Sequence, residues 1–484
     1  CKDAPGDKAL VSIAMTVPDS LIAVSNGVRL DTVEHGNGWT TYRYASEYPV
    51  APYLVSVAAT NYRGWGELCQ VPGDVPVVLQ YHVFPQDYDN ARVDLGRTCG
   101  IMEFMTDLAG PYPFAREQYA QAEFKWFGSM EHQTATSLSP TVFTGDRYNE
   151  LTVVHELAHQ WYGDSLTPAV WSDIWLNEGF ARYIEALWVE HTEGRAAYEE
   201  YMRRIGPGRY PNLWQGDGTL GDPHPILPNG VIYDKGAWVL HMLRMNIGDE
   251  AFFTFLKEYG TDPALTYGSV TLADMTGHAE AAAMEDLSPF FDPWVWTETI
   301  PVVESTITFE DQGDVRVSLT QRQSPLFDLT VPVRLYTECG QTDVTMRFAT
   351  RTDEESWAPN CLVDSVKIDP DGMVMMRHDE DDTRSIVVTG PAPNPMTAGT
   401  ATFQIYLMSD SQVTVKIYDA KGRLMTAEAT PLLNATGQPG DEAARPHVWK
   451  WDPYRSRRPP TGVYWLEFVP DTGGRTVRKV TLIH

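Results

Sequence analysis

The sequence predicts a multidomain α+β protein. At 484 residues the chain exceeds what one hydrophobic core supports, and length alone suggests about three domains. Its two ends alternate apolar and polar residues as strands do, whereas its middle carries apolar residues at helical spacing. A hydrophobic content of 43% is that of a folded chain rather than a disordered one.

Residues 1–70 read as strands and turns. Val11, Ile13, Met15 and Val17 alternate with Ser12, Ala14 and Thr16, and Asn26-Gly27 marks a turn. From 71 to 296 the pattern is helical, with amphipathic helices predicted over 94–108 and 237–259 and a last helix over 290–296. Residues 297–382 return to alternation at 315–319 and 331–335, as in a small β sandwich. The acidic run Asp379, Glu380, Asp381, Asp382 and the proline-rich stretch 390–395 mark a boundary. Beyond it, residues 383–484 alternate at Val413, Val415 and Ile417, with a turn predicted at Lys421-Gly422. The Pro393-Asn394-Pro395 opening, Gly462-Val463-Tyr464-Trp465 and the Lys479–Ile483 ending make this stretch resemble the immunoglobulin-like C-terminal modules of bacterial secreted enzymes. The resemblance implies a secreted or cell-surface protein, with a module that serves sorting by secretion machinery. A spacer or carbohydrate-binding role stays open.

Charge narrows the partners. With 65 acidic against 37 basic residues, the net charge is -28, which argues against nucleic acid or an anionic membrane surface and favours cationic peptide ends. No run of about 18 apolar residues predicts a membrane span. Five cysteines, Cys1, Cys69, Cys99, Cys339 and Cys361, form no C-x-x-C pair, so a cysteine zinc site is not expected. Cys339 and Cys361 flank a β-rich stretch and could form a disulfide.

The chemistry concentrates at His155-Glu156-Leu157-Ala158-His159 and at Glu178. Positions i and i+4 share a helix face, so the two imidazoles can converge on one ion. Two nitrogens and a carboxylate leave a tetrahedral Zn2+ with an open position for water, and Glu156 can reach that water as a base. Two histidines on a solvated helix face would be the bland alternative. Val153, Val154, Leu157, Ala158 and Trp161 are too apolar for such a face, and a buried helix must satisfy its polar groups.

Two further segments refine this reading. Lys125-Trp126-Phe127-Gly128-Ser129-Met130-Glu131-His132-Gln133 lies upstream and Val231-Ile232-Tyr233-Asp234-Lys235-Gly236-Ala237 downstream. With these pieces in order, the chain resembles zinc aminopeptidases of the aminopeptidase N type, within the gluzincins. That family places eighteen residues between H-E-x-x-H and its glutamate ligand, as residues 160–177 do here; its G-x-M-E-N strand matches Gly128 to His132, and its Tyr-x-Lys-Gly segment matches Tyr233 to Gly236. The resemblance implies a thermolysin-like catalytic domain over 71–296 and one Zn2+ per chain held by His155, His159 and Glu178. It makes Glu156 the general base and the Tyr233 phenol the donor to the oxyanion. It assigns Glu131 to the free α-amine of a peptide and Gly128 and Ser129 to its backbone, while Phe127 and Met130 suggest an apolar specificity pocket.

The chain departs from the family in two places. His132 stands where the family has asparagine, and the start at Cys1-Lys2-Asp3-Ala4-Pro5-Gly6-Asp7-Lys8-Ala9 resembles a segment well inside the family's N-terminal β domain, which makes 1–70 the C-terminal part of a truncated N-terminal β domain and the chain a truncated or processed piece. Its amine-binding glutamine lies upstream of that segment. A thermolysin-like endopeptidase would carry aspartate where Arg182 stands. The family's large helical C-terminal domain has no counterpart, which predicts a more open cleft. Two alternatives remain beside the zinc aminopeptidase: epoxide hydrolysis, known in one branch of the family, and a non-catalytic secreted binding protein retaining the zinc fold. Intact Glu156 and Tyr233 speak against the second.

Overall fold

The computed structural model describes residues 3–71, 76–126, 128–206, 218–224, 230–309, 314–379, 386–392, 394, 396, 399–407, 410–419, 423–434, 436, 445–453, 460–470 and 476–483. Cys1, Phe127, Glu380, Asp381, Asp382, Pro393, Pro395 and the Lys421-Gly422 turn lie outside them.

The alternation near the start becomes β1 (Ser12–Pro18), β2 (Ile22–Ser25), β3 (Val28–Glu34), β4 (Trp39–Ala45) and β5 (Val57–Thr60), in antiparallel sheets ordered β1-β4-β3 and β2-β5. Asn26 and Gly27 turn the chain from β2 to β3. Gly27 takes φ +81°, a conformation that costs glycine little. Asn26 Nδ2 donates to the carbonyls of Leu54 (2.8 Å) and Gln133 (2.6 Å).

A second sheet holds β6 (Arg63–Cys69), β7 (Val77–Val83), β8 (Gln118–Glu123) and β9 (Ala135–Leu138) in that order. β6 is antiparallel to β7, while β7, β8 and β9 run parallel. Every residue of β8 is buried, as expected of a parallel strand covered on both faces. Between β7 and β8 lie α1 (Tyr88–Asp94) and α2 (Thr98–Ala109). They replace the single helix expected over 94–108. Asp94 turns inward to accept the Gly145 and Arg147 N–H groups, both at 2.7 Å, and Gly96, a poor helix former, follows in the break.

The helical region continues with α3 (Glu150–Ala158), the short strand β10 (Thr167–Pro168), α4 (Trp175–Glu193), α5 (Arg195–Ile205), a π-helical turn at Val231–Lys235 and α6 (Gly236–Thr261), which kinks at Gly248. β11 (Ser269–Val270) pairs in parallel with β10, and α7 (Leu272–Ala283) and α8 (Ser288–Trp296) follow. Trp161, Trp175, Trp238, Trp294, Phe114 and Phe180 are fully buried, and at about 25 cal/mol per Å2 such side chains dominate the stabilisation. One approach is unusually close. A Cβ on Gly236 would stand 2.9 Å from Gly179 Cα, so α4 and the start of α6, just after the π turn, meet backbone to backbone.

Beyond α8, β12 (Val302–Phe309), β13 (Val315–Gln321), β14 (Leu329–Thr337), β15 (Gly340–Phe348), β16 (Thr352–Trp357), β17 (Val363–Ile368) and β18 (Arg377–Asp379) form sheets ordered β16-β13-β12-β18 and β15-β14-β17. The expected Cys339–Cys361 disulfide forms, and a second, unanticipated one joins Cys69 at the end of β6 to Cys99 in α2. The last region contains β19 (Ile386–Ala392), β20 (Ala401–Leu407), β21 (Ser411–Tyr418), β22 (Leu424–Leu433), β23 (His447–Trp451), β24 (Gly462–Pro470) and β25 (Thr476–Leu482). Sheets β19-β20-β23 and β22-β21-β24-β25 share an apolar core that includes Phe403, Ile405, Val415, Leu466 and Phe468. By contacts the chain divides into two compact units, one of residues 1–303, 320–353 and 359–377, the other of residues 304–319, 354–358 and 378–484. Among the described residues, no helix is long and apolar enough to cross a membrane.

Candidate metal centre

The site is built on α3, α4 and the π turn. α3 presents His155 and, at its C-terminal cap, His159, while Glu178 sits in the first turn of α4. His155 Nε2 lies 3.2 Å and His159 Nε2 3.4 Å from the same Glu178 oxygen, Oε2. The ligand atoms of all three residues lie within 4.8 Å of one another. Cys69, Cys99 and Glu103 form another such group among the described residues, but there the thiols are spent in a disulfide.

The donor chemistry fits a cation. His159 Nδ1 faces the carbonyl of Tyr162 at 3.1 Å, and a carbonyl only accepts, so that nitrogen carries the proton and Nε2 offers a lone pair. His155 Nδ1 faces Glu185 Oε1 at 2.8 Å, a carboxylate behind an imidazole of the kind that orients metal-binding histidines. Two lone pairs and a carboxylate oxygen therefore point at one spot, an arrangement that repels unless positive charge sits there. Burial opposes a charged His155, yet Glu178 and Glu185 outweigh it and drive its basicity well above the ordinary value. A divalent cation meets the same demand while leaving both imidazoles neutral.

Glu185 is held by three partners. Beside His155, it accepts from Tyr201 Oη at 2.7 Å and from Arg182 Nη1 at 3.0 and 3.2 Å. Arg182 Nε also donates to Asp234 Oδ1 at 3.0 Å, which ties the π turn to α4. Glu178, Arg182 and Glu185 stand at i, i+4 and i+7, one helix face. That spacing was available in the sequence; Glu185 nevertheless went unassigned there.

The remaining expected residues fall as follows. Glu156 is buried, and burial pushes its carboxyl up to about 8, with His155 opposing the shift and Glu131 adding to it. A cation between the imidazoles would lower that value. The Tyr233 ring stacks on His155 with centroids 6.0 Å apart. Burial, followed by the carboxylates of Glu178 and Glu131, holds its phenol far above the normal range, so it stays a donor. Glu131 is buried, its carboxyl raised by desolvation first, with His159 countering and Glu178 adding; it therefore shares the field of the three ligands. Met130 pairs with Ser137 of β9 through Met130 N–H to Ser137 O (2.9 Å) and Ser137 N–H to Met130 O (2.8 Å). Gly128 and Ser129 precede this bridge, and Ser129 Oγ accepts from Ser139 N–H at 3.1 Å. His132 turns to Ser137, with Nδ1 and Oγ 3.0 Å apart. Tyr53, far away in sequence, receives a hydrogen bond from Asn177 Nδ2 at 3.1 Å and is influenced by Glu131. No local signal could have identified it.

The site lies within a region similar to known proteins. Residues 94–294 match the Peptidase family M1 domain. The chain is 27% identical over 279 residues to leukotriene A-4 hydrolase of Xenopus laevis, covering 54% of this chain and 44% of that protein. It is 33% identical over 186 residues to aminopeptidase N of Lactococcus lactis subsp. lactis, covering 36% and 21%. Among solved structures, an M1 zinc metallopeptidase from Deinococcus radiodurans aligns with TM-score 0.55 at 27% identity, over 62% of this chain and 66% of that one. Legionella pneumophila aminopeptidase A aligns with TM-score 0.68 at 16% identity, over 78% and 45%, a likeness of fold. The proteins this chain is similar to thus include zinc metallopeptidases and aminopeptidases. The chain spans less than half the length of the curated relatives it matches.

Proposed function

We propose that this chain is a zinc aminopeptidase that releases residues from the N-terminus of peptides. The observation carrying the reading is Glu131, a buried carboxylate in the field of His155, His159 and Glu178. An acid fixed beside the metal centre can bind a terminal ammonium and so count one residue from the chain end. His155, His159 and Glu178 would hold one zinc. When bound, zinc polarises a scissile carbonyl and lowers the pKa of water at its open position from 15.7 to about 7. Glu156 takes the proton of the attacking water and passes it to the leaving amine. Tyr233 donates a hydrogen bond from its phenol to the developing oxyanion and keeps its proton, a role its stack on His155 supports. The backbone of Gly128, Ser129 and Met130 lies beside β9 and can receive the substrate as an added strand.

The test is turnover of amino-acid anilides with and without N-acetylation. The free amine should be strongly preferred, and Glu131→Gln should erase most of that preference, costing about 1.5–3 kcal/mol, or roughly 10- to 150-fold in kcat/KM. Acetylated and free substrates cleaved alike by the unaltered protein would sink the aminopeptidase reading.

Residues 383–484 are read as an immunoglobulin-like module of a secreted or surface-held bacterial enzyme, contacting secretion machinery. The two-sheet core and the two disulfides, which suit an oxidising compartment, support this. Deleting 383–484 should leave anilide turnover within about twofold, as expected of a region with an apolar core of its own, and abolish export. Export that survives the deletion contradicts the sorting role.

A further inference from the structure

We propose that Gln160, seated by Asp164, is the positioning residue that sets Glu131 against the metal centre. The inference rests on the amine-binding role of Glu131. Gln160 follows the ligand His159 directly, and its amide is buried. Its Nε2 donates to Glu131 O at 3.0 Å and to Asp164 Oδ2 at 2.7 Å. Its Oε1 accepts from Thr134 N–H at 2.9 Å and Tyr112 Oη at 3.4 Å. One amide thus grips both ends of the 131–134 turn and ties it to the helix that carries two of the ligands.

That turn needs holding. Thr134 has φ +59°, where a β-branched residue is strained and persists only if its surroundings over-determine it. Gly27 N–H donates to Thr134 Oγ1 at 2.9 Å and Asn26 Nδ2 to Gln133 O at 2.6 Å; Gln160 supplies the bonds from the metal side. Thr134 N–H can only donate and Glu131 O can only accept, so they fix the amide's orientation, and the fully buried Asp164 takes its second N–H at 2.7 Å. Lys8 holds the segment behind it, donating Nζ to Asp164 O (2.7 Å) and Ser165 O (3.0 Å). The Gln160 amide bonds the 131–134 turn and none of the three ligand side chains, so its route to the chemistry runs through Glu131; Asp164, which also faces the charge of Glu156, is separated from that route by the Asp164→Asn variant.

The experiment compares unaltered protein, Gln160→Met, Asp164→Ala and Asp164→Asn, each with zinc content measured. Gln160→Met and Asp164→Ala should keep one zinc, raise KM for an amino-acid anilide about tenfold with kcat little changed, and narrow the preference for free over acetylated substrate; sub-ångström misplacement has effects of this order. Asp164→Asn, which can still accept from Nε2, should behave as the unaltered protein. If Gln160→Met fails to hold zinc, Gln160→Glu keeps the shape and replaces the donor, with the same expectation. As a readout without turnover, calorimetric binding of phenylalaninamide to a Glu156→Gln background should weaken about tenfold on adding Gln160→Met, while binding of its acetylated form stays unchanged. A full amine preference in the Gln160 variants overturns the positioning role alone. Loss of kcat with KM intact does the same. Absence of any preference in the unaltered protein removes the role of Glu131, and this inference with it.

Discussion

Glu156→Gln is expected to fold, to bind zinc and to lose about 10²- to 10⁴-fold in kcat, the range that a positioned general base contributes. The carboxylate is not among the three converging ligands, so metal content should stay at one per chain. Glutamine keeps the shape of the buried carboxyl, so the melting temperature should change little. Tyr233→Phe provides the internal comparison. It removes one oxyanion donor, worth about 2.7–4 kcal/mol, and should lower kcat with little change in KM. Steady-state kinetics with paired metal analysis decide it. Near-normal turnover in Glu156→Gln would exclude the proposed base.

The second large effect concerns the metal. His159→Ala removes a ligand that is 1% exposed and should abolish both zinc binding and detectable turnover. It should also lower the melting temperature, because a ligand that binds only the folded state at about 1,000 times its Kd stabilises by about 4 kcal/mol. A chelator added to the unaltered protein should reproduce the loss of stability, and added zinc should reverse it. A chelated protein that keeps both its turnover and its melting temperature would refute the metal centre.

What the sequence made legible follows from how local each relation is. His155, Glu156 and His159 are related by helix geometry alone, and Glu178 by a spacing characteristic of one family, so their convergence could be read in advance. Strand alternation likewise anticipated β1, β13, β14 and β21 to within a few residues. Relations closed through space were not readable. The helix expected over 94–108 breaks because Asp94 serves a loop some fifty residues later. Cys69 finds Cys99 only once β6 and α2 are side by side. Lys8 reaches Asp164 across 156 positions. Tyr53 near Glu131, and the strained Thr134, are likewise products of tertiary packing.

The hydrogen-only meeting of Gly179 and Gly236 has a consequence for the spacing of the site. Glu178 and Tyr233 flank that meeting point, one on each backbone, and Arg182 with Asp234 buttons the same two segments together. Ligand and phenol are thus set against each other across bare backbone, and any side chain inserted at the glycines should act as a wedge that drives them apart.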